Sequence, residues 1–246
     1  MTRIACIIPA RLASTRFPRK MLSELWGKPL ILRVWEAAKA VPDFHTVAVA
    51  TDSEEIARCI EKEGGVALLT DPSCSSGTAR LVEIMRKGTI HADIWVNWQG
   101  DEPLIHAGMI KELLQSANAL KSDIWTLRRE IVNPLDLTNP HITKVVCDAA
   151  EFALYFSRSP IPHSRHDPPS TSYKHVGLYA FTNRALERIV DLPPCALEKV
   201  EQLEQLRWLF HGLKIKVHRT EHEVFGIDLP EHLAKANAMY QNSVRP

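Results

Sequence analysis

Residues 4–20, IACIIPARLASTRFPRK, hold the features that decide how this chain folds. Ile4–Ile8 is an uninterrupted apolar run, which is typical of a strand buried on both faces of a parallel sheet. The segment Pro9–Lys20 follows directly and is basic. Because ligands bind beyond the carboxyl ends of the strands in open parallel sheets, this loop is well placed to hold a ligand.

Short β-rich runs alternate with amphipathic stretches over the first half of the chain. Asp52 is the expected N-cap of the second helix, and Gly64-Gly65 is expected to end it. Such alternation predicts a parallel sheet covered on both faces by helices. The further predicted strands are Val47–Thr51, Val66–Leu69 and Ile94–Asn97, and the predicted helices are Leu30–Ala40, Ser53–Glu63, Thr78–Lys87 and Ala107–Leu120.

The second half of the chain breaks this alternation. Thr143–Cys147 and Ala153–Ser157 predict two strands joined by a turn, and the four prolines of Ser159–Ser170 exclude helix and central strand there. We expect one α/β domain over residues 1–246, with a mostly parallel sheet flanked by helices and an inserted antiparallel β piece. The remaining predicted elements are strands at Lys174–Phe181 and Ile215–His218 and helices at Asn183–Val190, Leu197–Phe210 and Leu229–Tyr240.

The composition excludes several classes of protein. The 246 residues carry 30 Lys and Arg against 29 Asp and Glu, so the net charge of +1 lacks the basic excess of a general nucleic-acid binder. No apolar run reaches the length of about 18 residues that spans a bilayer, and the N-terminal run is too short for a secretory leader. Five scattered cysteines without a C-x-x-C pair argue against a disulfide scaffold or zinc site and indicate a reducing cytoplasm.

The loop after the first strand is the first candidate site. It gathers Arg11, Arg16, Arg19 and Lys20 with the hydroxyl of Ser14, a set that suits a polyphosphate because each phosphate oxygen prefers a charged donor. The loop is not a Walker A motif, since G-x-x-x-x-G-K-[ST] is absent. A solvated basic turn is the alternative interpretation.

Acidic residues after the fourth strand and late in the chain form the second candidate. Asp101, beside Gln99 and Glu102, opens the loop after Ile94–Asn97 and is a natural magnesium ligand, with a capped turn as the alternative. Asp228 precedes Pro230 and by itself indicates a helix N-cap. Asp228 is expected to bind a metal only if it lies close to Asp101, and the spacing of the two residues in the sequence does not show whether it does.

Two further segments have both a binding and a structural interpretation. Ser76-Gly77-Thr78 precedes a helix and is either a contact for a base or phosphate or a plain capping turn. His175 and Tyr179 lie on the same face of one predicted strand, which suits either a ligand wall or core packing. The acids that include Glu204 on the helix near residue 200, followed by Gln205, are typical of a solvated face.

Eight motifs then occur in order along more than 200 residues. They are PARLASTRFPRK (9–20), ATD (50–52), SGTARL (76–81), WQGDEP (98–103), ALYFSRSPIP (153–162), KHVGLY (174–179), LEQLR (203–207) and GIDLP (226–230). Together they resemble the sugar-acid cytidylyltransferases, and the segments at 153–162 and 174–179 are similar to the branch that activates 3-deoxy-D-manno-octulosonate (Kdo). The separate motifs are weak, but their order is specific.

This resemblance implies a nucleotide-diphospho-sugar-transferase-like fold and the reaction CTP + Kdo → CMP-Kdo + pyrophosphate, commonly for lipopolysaccharide. It implies CTP binding within residues 1–130 and 190–246, and a sugar lid and homodimer contact within 131–189. Displacement is expected to be in line, with no covalent intermediate. The implied catalytic residues are Arg11, Lys20, Asp101 and Asp228, of which Asp101 and Asp228 hold Mg²⁺. The implied CTP residues are Ala10, Arg11, Ser14, Arg16, Lys20, Ser76, Gly77 and Thr78, and the implied sugar residues are Gln99, Arg158, His175, Tyr179, Glu204 and Gln205.

The chain departs from the family pattern at three positions. Arg19 replaces a glycine of the phosphate loop, Ala79 replaces an acid after SGT, and Leu229 replaces a threonine after the late aspartate. A cytidylyltransferase for another sugar acid, such as a sialic acid, is the nearest alternative. A catalytically silent nucleotide-binding homologue is disfavoured because Lys20, Asp101 and Asp228 are all present.

Overall fold

The computed structural model describes residues 2–14, 16–117, 122–165 and 171–244. The chain divides into two compact units. The first unit comprises Met1–Ala107 with Val224–Pro246, and the second comprises Gly108–Glu223. The functional division expected near residues 131 and 190 stays a prediction.

A parallel sheet forms the centre of the first unit. Its strands lie in the order β6 (Ile94–Asn97), β1 (Ile4–Ala10), β4 (Thr46–Thr51) and β5 (Val66–Leu69). Each pairs in parallel with its neighbour, so that Cys6 lies opposite both Val47 and Val96. Consequently the carboxyl ends of these strands, with their following loops, share one edge of the sheet. The strands of this unit are β1 (Ile4–Ala10), β2 (Glu24–Leu25), β3 (Lys28–Pro29), β4 (Thr46–Thr51), β5 (Val66–Leu69) and β6 (Ile94–Asn97), with β2 and β3 forming a separate antiparallel pair.

Helices surround this sheet at nearly the predicted positions. The helices of the first unit are α1 (Leu30–Lys39), α2 (Glu54–Glu61), α3 (Gly77–Lys87) and α9 (Pro230–Val244), with a 3-10 turn at Lys20–Leu22.

The expected N-cap of α2 is wrong by one residue. Ser53 caps it by accepting a hydrogen bond from the Ile56 amide at 3.4 Å, while the Asp52 carboxylate binds Leu12 and Arg80 instead.

The second unit contains a strand, β7 (Ile124–Glu130), that the sequence patterns did not predict. It pairs antiparallel with β10 (Tyr173–Thr182) and parallel with β11 (Ile215–Arg219). The predicted antiparallel pair is confirmed as β8 (Lys144–Cys147) and β9 (Ala153–Ser157), joined by a turn over 148–152. The helices are α4 (Ala107–Leu114), α5 (Pro134–Thr138), α6 (Asn183–Asp191), α7 (Ala196–Glu201) and α8 (Gln205–Phe210).

Two helix predictions in this unit are wrong. The helix expected over Leu197–Phe210 is broken, because Gln202 has a left-handed backbone conformation with φ of 53° between α7 and α8. The helix expected to reach Leu120 ends at Leu114, and its last three predicted residues lie outside the described residues. The proline-rich segment is irregular over 159–165, and 166–170 also lie outside that range.

Tryptophans fill the interior of both units. Trp95 and Trp98 in the first unit and Trp125 and Trp208 in the second are all almost fully buried. Within the described ranges, no helix combines the length and the apolar character that crossing a membrane requires.

Candidate active site

A cleft of about 270 Å³ lies at the carboxyl edge of the first unit's sheet. Ten predicted site residues line it, whereas the predicted CTP residue Thr78 is buried just beyond Gly77. A larger cleft of about 600 Å³ beside α2 is lined by Arg19 and Glu55. Arg19 was expected in the polyphosphate loop, but no residue that the family resemblance assigns to substrate or metal lines this larger cleft. The lining of the smaller cleft is Pro9, Ala10, Arg11, Ser14, Arg16, Lys20, Met21, Cys74, Ser75, Ser76, Gly77, Arg80, Gln99, Gly100, Asp101 and Asp228.

Glycines allow the three walls of this cleft to approach one another closely. A Cβ on Gly100 would lie 2.9 Å from the carbonyl oxygen of Pro9, which accepts a hydrogen bond from the Gly100 amide at 3.3 Å. A Cβ on Gly77 would lie 2.9 Å from the Pro9 ring. Glycine is therefore required where the loops after β1 and β6 and the start of α3 meet.

We expect Gly100→Ala to be destabilised and poorly active. The added methyl group collides with backbone, and overpacking of this kind costs about 1–3 kcal/mol of unfolding free energy. Because Asp101 is the next residue, its displacement is expected to lower kcat/KM at least about tenfold. Chemical denaturation and steady-state kinetics test both effects, with Gly177→Ala as the stability control, since nothing lies within 4 Å of a Cβ there. Unchanged stability of Gly100→Ala would contradict the close approach.

One ammonium group joins the two predicted metal ligands. The Lys20 amine lies 2.7 Å from Asp101 Oδ2 and 3.5 Å from Asp228 Oδ1, and its side chain is 7% exposed. Arg16 also donates to Asp228 Oδ1, at 3.1 Å. The backbone holds the two acids together as well, because the Ile227 amide donates to the Asp101 carbonyl at 2.9 Å. Asp101 and Asp228 therefore meet across one cation, although 127 positions separate them.

A third acid beside this pair is held largely neutral. Burial raises the pKa of Glu102 to about 8, and the negative charges of Asp101 and Asp228 add to the increase, while Lys20 opposes it. Its Oε2 is buried and makes no hydrogen bond to the described residues. At neutral pH Glu102 therefore adds little negative charge to the site.

These two carboxylates fit a magnesium site completed by substrate. Among the described residues, no group of three or more His, Cys, Asp or Glu side chains is arranged to hold a metal ion by itself. Magnesium commonly binds one or two carboxylates and takes its other ligands from water and substrate phosphates. Asp101 and Asp228 already share one cation, the Lys20 amine, so their placement suits that mode of binding.

The unusual Arg19 does not point into this cleft. Its backbone has φ of 59°, a left-handed conformation that glycine adopts without strain, which explains the glycine of the family pattern. Its guanidinium forms an ion pair with Glu55 on α2, beside the larger cleft. The arginine at position 19 therefore adds no charge to the lining of the smaller cleft.

Five of the six predicted sugar residues lie in the second unit. His175 and Tyr179 pack together on β10 with their rings 5.2 Å apart, and Tyr179 also packs on Trp208 at 5.3 Å. The negative charge of Glu204 acts on Tyr179, and Gln205 is buried at the start of α8. The sixth, Gln99, lines the cleft of the first unit and donates to Asn97 Oδ1 at 3.0 Å.

Arg158 differs from the other predicted sugar residues in its bonding. Its guanidinium donates to the backbone carbonyls of Glu201 at 2.7 Å, Pro140 at 3.0 Å and Gln202 at 3.3 Å. These bonds brace the break between α7 and α8, immediately before Glu204. The structure thus gives Arg158 a bracing role, and its contact with sugar stays a prediction.

We expect His175 to remain neutral throughout the physiological pH range. Burial lowers its pKa from 6.5 to about 3, and its Nε2 lies 2.9 Å from Thr126 Oγ1. Because the folded-state pKa is below the unfolded value, this group's protonation favours unfolding, so stability should fall as pH drops from 6.5 toward 3. An NMR titration from pH 8 to 4, assigned with His175→Gln, should show no ring protonation at His175. A midpoint near 6.5 would contradict the burial.

Arg80, a residue of the cleft, and its ion-pair partner Asp52 were missed as functional residues from the sequence. Arg80 lines the cleft and forms an ion pair with Asp52 at 2.7 Å. Both belong to motifs, SGTARL and ATD, but neither motif assigns a partner to them. A buried arginine requires a carboxylate, but the local sequence around Arg80 does not show that it is buried, so no sequence signal joined it to Asp52.

Known proteins resemble the chain over nearly its whole length. A family model described as Cytidylyltransferase matches residues 5–215. A 3-deoxy-manno-octulosonate cytidylyltransferase of Thermodesulfovibrio yellowstonii is 44% identical over 243 residues, covering 94% of this chain and 95% of that protein. One of Flavobacterium johnsoniae is 43% identical over 244 residues, covering 98% of this chain and 99% of that protein.

A solved structure agrees with these relatives. It is CMP:2-keto-3-deoxy-manno-octonic acid synthetase complexed with CTP, with a TM-score of 0.94, 37% identity, and coverage of 99% of this chain and 100% of that one. The predicted fold class, an α/β fold with a mostly parallel sheet flanked by helices, is confirmed. The family model and the identities together show that the chain belongs to the 3-deoxy-manno-octulosonate cytidylyltransferases.

Proposed function

We propose that this chain transfers CMP from CTP to the anomeric hydroxyl of Kdo, giving CMP-Kdo and pyrophosphate. The observation that carries the proposal is the meeting of Lys20, Asp101 and Asp228 in a cleft whose other walls are basic and rich in hydroxyl groups. The same cleft holds ten of the residues that the family resemblance assigns to substrate and metal.

The basic wall is suited to the triphosphate of CTP. Arg11 and Arg16 are exposed at the cleft, and the Lys20 amine lies within it. Charged donors bind phosphate oxygens more strongly than neutral ones. Arg11 and Lys20 can therefore neutralise the charge that accumulates on departing pyrophosphate, a stabilisation that preorganised donors supply without reorganising.

Asp101 and Asp228 are the residues that would hold magnesium. When bound, Mg²⁺ supplies Lewis-acid polarisation of the α-phosphate and lowers the pKa of the attacking hydroxyl. The largely neutral Glu102 adds little negative charge beside Asp101 and Asp228. Asp101 and Asp228 would orient the reacting groups, and Lys20 would balance their charge.

Direct in-line displacement is favoured by the state of two nucleophilic side chains in the cleft, Cys74 and Ser76. Burial raises the pKa of the Cys74 thiol to about 11, and its Sγ donates to Glu83 at 3.2 Å. Ser76 Oγ accepts the Ala79 amide at 3.1 Å as the cap of α3. A thiol held protonated and a hydroxyl engaged in capping are poor covalent nucleophiles.

The sugar acid is expected to contact the cluster of His175, Tyr179, Glu204 and Gln205. Neutral imidazole and phenol groups can hydrogen-bond sugar hydroxyls. These groups would determine the selection of Kdo over a sialic acid, because the cleft of the first unit would bind CTP in either reaction.

Pairing of two chains through the second unit is the expected assembly. Large apolar side chains are exposed there, among them Val132 at 76%, Leu135 at 75% and Leu154 at 62%. Exposed apolar groups of this kind commonly mark protein interfaces. Sedimentation analysis tests this assembly, and a homodimer that Leu135→Lys dissociates is the expected result.

Pyrophosphate release from CTP tests the proposed reaction. Parallel reactions contain Kdo, N-acetylneuraminic acid or no sugar, each with Mg²⁺ and with EDTA. Release with Kdo alone, abolished by EDTA and restored by excess Mg²⁺, is expected. If pyrophosphate is released only with the sialic acid, then that sugar acid and not Kdo is the substrate. Release that persists in EDTA would contradict the role of the metal.

A further inference from the structure

One carboxylate joins the ends of three neighbouring strands in the first unit. Asp52 directly follows β4, and its Oδ1 accepts the Leu12 amide at 3.1 Å from the loop after β1. Its Oδ2 pairs with Arg80 Nη2 at 2.7 Å. Arg80 Nη1 in turn donates to Thr70 Oγ1 at 2.5 Å, directly after β5. Asp52 and Arg80 thus form a continuous bridge, which we call the Asp52–Arg80 bridge.

This bridge is buried, so its geometry is tightly constrained. The Arg80 side chain is 4% exposed and that of Asp52 is 15% exposed. Removing one partner of such a pair leaves an uncompensated buried charge. The planar guanidinium also binds two acceptors in fixed directions, which an ammonium group cannot reproduce.

The bridge connects two walls of the CTP cleft. Leu12 lies between Arg11 and Ser14, which line one wall. Arg80 is in α3, three residues after Gly77, which lines the other wall together with Ser76. Among the described residues, no helix or strand joins the two walls, because one wall is the loop after β1 and the other is the start of α3.

We propose that Asp52 and Arg80 are positioning residues that set the spacing of the phosphate loop from the start of α3, and so determine the affinity for CTP. This inference rests on the proposed function, because it assumes that the cleft binds CTP. The bridge acts through Leu12 and α3 rather than on the sugar acid. Its loss should therefore raise the KM for CTP and leave the KM for Kdo nearly unchanged.

Four variants separate positioning from charge. Asp52→Asn keeps an acceptor for the Leu12 amide but loses the ion pair, and Arg80→Lys keeps the charge but loses the two-acceptor geometry. Arg80→Met removes both, and the double variant Asp52→Asn/Arg80→Met leaves no unpaired buried charge, so it guards against misfolding. Arg58→Met is the matched control, since Arg58 is 66% exposed and pairs with Glu54 at 3.8 Å outside the cleft.

Calorimetric binding of CTP with Mg²⁺, without sugar acid, is measured beside steady-state kinetics. We expect CTP affinity to fall at least about tenfold in Arg80→Met and Asp52→Asn, by analogy with the cost of misplaced binding groups. Arg80→Lys should retain only part of the affinity for CTP. The double variant should be no weaker than the poorer single variant, because both remove one interaction. Arg58→Met should bind as the unaltered protein does.

The outcomes separate this inference from the proposed function. Failure of the unaltered protein to bind CTP would overturn both. If the unaltered protein binds CTP and produces pyrophosphate while folded bridge variants bind CTP equally well, the inference alone is overturned. Additive losses in the double variant, or equal changes in the KM values for CTP and Kdo, would also overturn it.

Discussion

Lys20→Met is expected to lower kcat/KM by at least about 100-fold, the effect typical of losing one preorganised transition-state donor. Methionine keeps the apolar stem of this buried side chain but removes the amine that lies 2.7 Å from Asp101 and 3.5 Å from Asp228. Without the amine, two carboxylates and the incoming triphosphate repel one another. Steady-state pyrophosphate release at saturating Mg²⁺ measures the loss.

Two further variants control this prediction. Lys20→Arg retains the charge and should recover only part of the activity, because a planar guanidinium does not reproduce the compact charge of an ammonium group. Lys62→Met removes an exposed cation beside the larger cleft and should leave activity unchanged. A Lys20→Met enzyme within a few-fold of the unaltered rate would exclude the role assigned to the amine.

Asp101→Asn and Asp228→Asn are expected to abolish turnover while the chain stays folded. Each substitution is isosteric and removes one carboxylate charge from the pair that would hold magnesium. Because the two side chains are 28% and 46% exposed, solvent screens their pairing with Lys20, and the effect on stability should be small. Rates across a Mg²⁺ titration, with thermal unfolding in parallel, provide the measurements.

The two aspartates should act as one unit. If they hold a single ion, the double variant loses no more activity than the more damaged single variant. Asp93→Asn is the control, since Asp93 is an exposed acid whose Oδ2 accepts the Arg3 amide away from the cleft. Normal turnover in either single variant would contradict the metal assignment.

Much of the first unit could be predicted from local patterns. Val66–Leu69 and Ile94–Asn97 are strands with the predicted bounds, because short apolar runs bounded by polar residues have few other structures available. The strand Ile124–Glu130 was missed because two arginines follow its apolar residues, so apolar and polar residues do not alternate along it. The break at Gln202 was also hidden, since glutamine favours helix and no glycine marks the left-handed turn.

The site was predictable in its parts but not in its assembly. Sequence spacing placed Asp101 at a strand end and made Asp228 equally suited to a helix cap, so only the family resemblance brought them together. The structure supplies the reason for their meeting, which is the Lys20 amine and the bond from the Ile227 amide to Asp101. Asp52 was predicted as a cap because a buried arginine 28 residues later has no local signature.

Phosphorus NMR of a reaction containing CTP, Kdo and Mg²⁺ tests the central claim most directly. Transfer of CMP predicts that the three triphosphate resonances disappear together, replaced by one pyrophosphate resonance and one phosphodiester resonance in fixed proportion. The phosphodiester should show coupling to the sugar acid when Kdo is labelled with ¹³C at its anomeric carbon. Conversion of CTP to CDP and inorganic phosphate, or no phosphodiester in the presence of Kdo, would contradict the account.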